Sequence, residues 1–163
     1  MSVVSNVLYT YRSPSKAFER MYARPANEAT SLGYLMSACF LTYVAQWPYL
    51  ARQAHLEEFN LQTSLAASLL AWLLIAPLLF YILALVLYFF HKICKGRKSS
   101  AQIRMGLFWS FLAVTPIMML FGLVKGFLGD GTAEGIVGLF WFVALFYFTF
   151  CAVLRAKGGG TFK

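Results

Sequence analysis

The chain has 163 residues, of which 60% are hydrophobic and 12% charged, and its net charge is +8. A soluble domain has about 45–50% apolar and about 25% charged residues, so this chain has too little polar surface to keep a globule in water. Lipid is the solvent that such a composition demands. The basic residues lie between long uncharged runs, and they read as headgroup and topology signals rather than as a nucleic-acid face.

Residues 1–29 read as a cytoplasmic segment. Ser13-Pro14 is a helix start, with a hydroxyl cap followed by proline at the first helical position. Ala17, Phe18, Met21 and Tyr22 share one face beyond it, and Pro25 ends the pattern. Lys16, Arg20 and Arg24, spaced four apart, form a basic stripe beside that face. The pattern predicts an N-terminal amphipathic interfacial helix, with Arg12, Lys16, Arg20 and Arg24 at anionic lipid headgroups. No compact apolar segment with a cleavage site follows Arg12, so the first span is expected to act as an uncleaved anchor.

Four stretches then lack charge: Glu28 to Arg52, Glu58 to Lys92, Arg104 to Lys125, and Glu134 to Arg155. Each is about 20 residues or longer, which at about 1.5 Å per residue crosses a hydrocarbon core of about 30 Å. They predict an all-α polytopic membrane protein with spans at about 30–50, 65–90, 106–124 and 135–154, followed by a cytoplasmic tail at 155–163. The runs do not alternate and are about twice the length of a barrel strand.

Small residues mark expected packing seams: Gly33 and Ser37 on the first span, Ser64 and Ser68 on the second, Gly122 and Gly126 on the third. Pro77 and Pro116 fall near the middles of the second and third spans and predict kinks. The loop Cys94–Ala101 brings Lys95, Arg97 and Lys98 to the anionic leaflet. On the fourth span, Trp141, Phe142, Phe146 and Tyr147 lie among aromatics on all faces and are the expected partner or ligand contacts.

Twelve basic residues fall in the N-terminal segment, the second loop and the tail, against Arg52 and Lys125 in the first and third loops. The positive-inside rule therefore expects both termini in the cytoplasm.

No Asp, Glu, His, Lys or Arg occupies a span interior, and no HExxH or GxSxG is present. His55 and His91 are expected on opposite membrane sides, and Cys39, Cys94 and Cys151 form no cluster. No catalytic, cofactor or metal residue is therefore expected. Gln46, Ser110, Thr115 and Thr149 are the few hints of a polar path.

The segment Tyr11-Arg12-Ser13-Pro14-Ser15-Lys16-Ala17-Phe18-Glu19-Arg20-Met21, set before a compact group of hydrophobic spans, resembles bacterial YIP1-family membrane proteins, and the likeness runs from about Tyr11 to Arg155. The resemblance implies a polytopic membrane fold, for which five spans are usual where this chain reads as four. Eukaryotic members act in vesicle trafficking with small GTPases, a role that likeness of fold does not carry across.

The expected function is that of a non-enzymatic accessory or scaffold subunit of a larger membrane complex, an inner-membrane protein acting through helix and lipid contacts. The partners expected are membrane lipids with anionic headgroups and other integral membrane proteins, and no nucleic acid. The alternatives are a small-solute or lipid transport protein and a membrane-shaping or lipid-binding protein.

Overall fold

The structure, a computed structural model, describes residues 3–23, 27–56, 60–129 and 131–155. Arg24 and the tail 156–163 lie outside the described residues. All regular structure among the described residues is helical. Helices α1 (Val3–Arg12) and α2 (Pro14–Tyr22) form an N-terminal pair. Helix α3 (Glu28–Ala45) is followed by α4 (Trp47–Leu56), then α5 (Leu61–Leu70). A π-helical turn at Ala71–Ile75 leads into α6 (Ala76–Ile93). Helices α7 (Ser100–Ala113), α8 (Thr115–Leu128) and α9 (Thr132–Phe150) complete the order, and α9 ends in a second π-helical turn at Cys151–Arg155.

Prolines set where these helices break. A proline has no N–H to give to the carbonyl four residues earlier, and its ring pushes against that carbonyl. Pro77 follows the wider turn Ala71–Ile75, which lets the helix continue, so Leu61–Ile93 remains one 33-residue helix. Pro116 instead divides α7 from α8, bent by 40° at Val114. Pro48 lies at the start of α4, just past the break at Gln46.

Two hairpins result, each a broken helix followed by a long one. The broken helices α3–α4 and α7–α8 run side by side in the same direction. Glu28 pairs with Arg104 at one end, and Arg52 reaches the Phe127 carbonyl, at 2.8 Å, at the other. Helix α6 returns antiparallel along α7, with Phe80 stacked on Phe111 at 4.2 Å and Tyr81 edge-on to Phe108 at 5.0 Å. Helix α9 returns along α8, with Lys125 and Glu134 paired at 2.8 Å.

The core is α7. Residues 105–115 are all buried, because α1, α3, α6 and α9 cover it from different sides. Trp109, Phe108 and Phe111 are its largest buried side chains.

The number of spans differs from the expectation. Among the described residues, two helices, Leu61–Ile93 and Thr132–Leu154, are long and apolar enough to cross a membrane, or three if the bent pair α7–α8 counts as one. The segment expected as the first span is cut at Gln46 into 18 and 10 residues. Glu28, Thr30, Ser31, Ser37 and Thr42 also dilute its apolar content.

The seams sort differently as well. A Cβ at Gly122 would lie 1.8 Å from the Ala45 carbonyl oxygen, and one at Gly126 would lie 2.5 Å from the Pro48 side chain. The broken corner of α3–α4 therefore sits directly on the glycine face of α8, where any side chain would hold it off. Gly33 and Ser37 correct the expectation: both are exposed, and a Cβ at Gly33 would meet nothing within 4 Å. Ser64 is half-buried, while Ser68 donates to the Gln46 side-chain oxygen at 2.7 Å.

Replacing Gly122 by Ala should lower stability by about 1–3 kcal/mol, because the blocking group is backbone and cannot rotate away. Gly33→Ala should be neutral or slightly stabilising, since alanine favours a helix interior over glycine. Thermal unfolding of the two variants in one detergent measures the contrast.

Candidate functional site

The breaks in the helices leave carbonyls that need donors, and the N-terminal helices supply one of them. Without an N–H on Pro116, the Leu112 carbonyl loses its helical partner. The Thr115 hydroxyl donates to it at 2.8 Å. The Ile117 N–H bonds to Val114 rather than to the Ala113 carbonyl. The Tyr11 hydroxyl, from α1, donates to Ala113 at 2.8 Å. Next to it, the Trp109 indole N–H donates to the Thr10 hydroxyl at 3.0 Å, and that hydroxyl donates back to the Asn6 carbonyl at 2.8 Å. The Tyr11 ring stands edge-on to Phe148 of α9 at 5.2 Å.

These contacts tie the N-terminal segment to the bundle. Helix α1 meets α7 at Trp109 and Ala113, about 14–20 Å along its axis from Ser100. The pair α1–α2 thus packs beside the core helix. Helix α2 starts at Pro14, as the proline predicts, although the Ser13 hydroxyl makes no capping hydrogen bond, and Ala17, Phe18 and Tyr22 on its apolar face are buried against protein. Tyr22 donates to the Ala152 carbonyl at 3.2 Å, and its ring occupies the gap beside Gly106. The physical reason is that α7 has an aromatic face which lipid alone would otherwise have to cover.

The predicted basic residues separate. Arg12 is exposed, but it lies at the turn between α1 and α2, next to the deep contacts of Tyr11. Lys16 and Arg20 are exposed on α2, and Lys95 and Arg97 are exposed beyond α6. Lys98 is a correction: it is buried, and its ammonium donates to the Ala152 carbonyl and, at 2.7 Å, to Val153. Both carbonyls belong to the π-helical turn Cys151–Arg155, and a cation suits carbonyls aligned towards the C-terminal side of a helix. Lys95 takes a left-handed φ of 56° while the Gly96 N–H returns to the His91 carbonyl, closing the end of α6. A Cβ at Gly96 would lie 2.0 Å from the His91 ring, so only glycine lets this loop fold over it.

Between the hairpin and the bundle lies a cavity of about 260 Å³. Four helices each present one face at helical spacing. Helix α1 gives Asn6, Tyr9 and Thr10, and α2 gives Ala17, Arg20 and Met21. Asn27, Thr30 and Tyr34 from the start of α3, with Met105 and Trp109 of α7, complete the lining. The Arg20 guanidinium lies over the Tyr9 ring at 4.4 Å. The Asn27 side chain caps α3 by accepting from the Ala29 N–H at 3.0 Å. Among the described residues of this lining, Arg20 is the charged one.

On α9, Phe142, Phe146 and Tyr147 are exposed and Trp141 is half-buried, with the Phe142 and Phe146 rings 4.7 Å apart. The hints of a polar path do not join. Ser110 donates to the Gly106 carbonyl, Thr115 to the Leu112 carbonyl, Gln46 accepts from Ser68, and the buried Thr149 hydroxyl bonds to none of them. No group of three potential metal ligands occurs among the described residues. Comparison with protein-family models, with curated proteins and with solved structures gives no match.

The Tyr11–Ala113 and Trp109–Thr10 contacts and the cavity are not legible in the sequence. The apolar stripe Val3, Val4 and Leu8 is exposed and the docked face carries Thr10, so the one signal is the donor requirement behind Pro116.

Removing the Tyr11 hydroxyl in Tyr11→Phe should cost about 1–3 kcal/mol, because the Ala113 carbonyl loses its donor in a dry site. Hydrogen exchange should quicken across residues 3–22 and remain unchanged in α6. A second expectation concerns pH. Burial lowers the Lys98 pKa to about 8, against about 10.4 for an unfolded lysine. Between those values the unfolded state holds more protons, so stability should rise as pH goes from about 8 towards about 10.4. Tyr22, whose ring faces this ammonium, has its pKa raised by burial and stays neutral in that window. Lys98→Met should flatten the rise in melting temperature.

Proposed function

We propose that this chain is a non-enzymatic inner-membrane protein of four spans, an accessory or scaffold subunit that acts through its outer helix surfaces and its basic face. The observation that carries this reading is the contrast between α7 and the Leu61–Ile93 helix. The core helix is enclosed by its own chain, whereas only 6% of the apolar window of Leu61–Ile93 is buried. That helix is about 50 Å long, well beyond a hydrocarbon core of about 30 Å, and it offers apolar side chains on several faces. Tilt or a partner helix accommodates such a length. The exposed aromatics of α9 offer a second outward surface.

Counting α3–α4 and α7–α8 as bent spans gives the total of four. A cytoplasmic location for both termini agrees with the engagement of the two exceptions to the basic bias. Arg52 caps the end of α8 through the Gly126 and Phe127 carbonyls, and Lys125 pairs with Glu134. Both are held by local partners on the face read as outer, while among the described residues Arg20, Lys98 and Arg104 lie towards the other.

Two measurements test the proposal. Cys94 is exposed, while Cys39 and Cys151 are buried. A membrane-impermeant maleimide should therefore label the chain at Cys94 in inverted vesicles and leave it unlabelled in intact cells; the reverse pattern defeats the orientation. Extraction in mild detergent, followed by native electrophoresis and mass spectrometry, should show a membrane protein co-migrating in fixed ratio. Recovery of free monomer alone defeats the accessory role.

A further inference from the structure

We propose that the cavity between α1, α2, α3 and α7 binds the phosphate-bearing headgroup of an anionic phospholipid. The inference rests on the membrane reading above but not on the accessory role. A volume of about 260 Å³ is far more than the roughly 30 Å³ that a water molecule occupies, and it approaches the lower end of small-molecule sites, at about 300 Å³.

The lining is divided by chemistry. Arg20 is exposed at the rim, held by its guanidinium over Tyr9, and the described lining residues include no acid. Asn6 and Thr30 add an amide and a hydroxyl, and the capped start of the 18-residue α3 opens at Asn27. These are donors and a positive helix end, the set that suits a phosphate. Met21, Met105 and Trp109 form the rest of the wall and suit the glycerol and the first methylenes of an acyl chain. A polar cavity beside a membrane helix is tolerated where water or headgroups reach it.

The test uses the full chain, purified from membranes and transferred to nanodiscs of phosphatidylglycerol or phosphatidylcholine with matched acyl chains. Native mass spectrometry then counts the lipids that survive detergent exchange. Wild type should retain one phosphatidylglycerol, preferred at least about tenfold over phosphatidylcholine, as expected for a charge-assisted contact. Arg20→Gln should abolish the preference, Arg20→Lys should restore part of it, and Lys16→Gln, outside the lining, should leave it intact. Thr30→Trp, a bulky change at an exposed rim position, should block retention while thermal unfolding shows a folded protein. Equal losses in Lys16→Gln and Arg20→Gln would reduce the effect to diffuse surface charge and overturn the site. Retention unaffected by both Arg20→Gln and Thr30→Trp would also overturn it. Displacement of the lipid by inorganic phosphate at equal concentration would make this a site for a free anion and overturn the lipid assignment. A chain that partitions away from membranes fails the membrane reading before any lipid is counted. A membrane-extracted chain without preference fails this proposal alone.

Discussion

Carbonyls freed from helices in an apolar setting must find donors, and most of this structure follows from where they find them. An unpaired carbonyl away from water costs several kcal/mol in lipid, so each break in a helix imposes a contact elsewhere. Pro116 releases Leu112 and Ala113, and Thr115 and Tyr11 answer. In the π-helical turn after α9, the Ala152 carbonyl accepts from Lys98 and Tyr22, and the Val153 carbonyl accepts from Lys98. The Pro48 break leaves Ala45 facing the bare glycine face at Gly122. These contacts tie α1 and the α3–α4 corner to α7 and α8, and α2 and the second loop to the end of α9.

This arrangement explains why the N-terminal helices belong to the bundle. Their apolar residues form a modest face that could cover lipid or protein equally well. The choice is made by directional contacts: a phenol to Ala113, an indole to Thr10, a second phenol to Ala152. Apolar burial does not discriminate between acyl chains and leucines, because both are equally dry. Hydrogen bonds and close packing therefore carry the specificity, and the cavity beside Trp109 lies where four helix faces meet without filling the space.

Charge plays two roles that look alike in composition. Lys95 and Arg97 are exposed, whereas Lys98, one residue further on, is folded in as a helix cap. Arg52 and Lys125 likewise serve local partners at the opposite end. Counting basic residues per loop registers all of them equally, although only the exposed ones are available to headgroups or to other proteins.

The sequence by itself determined the all-helical class, the apolar helices and the start of α2. These follow from local rules: charge-free length and proline at a first helical position. It also showed the GxxxG of Gly122 and Gly126, because close approach needs a missing side chain. Tertiary structure decided which small residues are seams, since Gly33 has the same spacing pattern and faces open space. It decided that Lys98 is buried, that the first expected span is divided at Gln46, and that α1 docks beside Trp109. Periodicity reports that a face is apolar but not what covers it. The donors for a freed carbonyl lie 102 residues away in the case of Tyr11 and Ala113, and only folding brings them together.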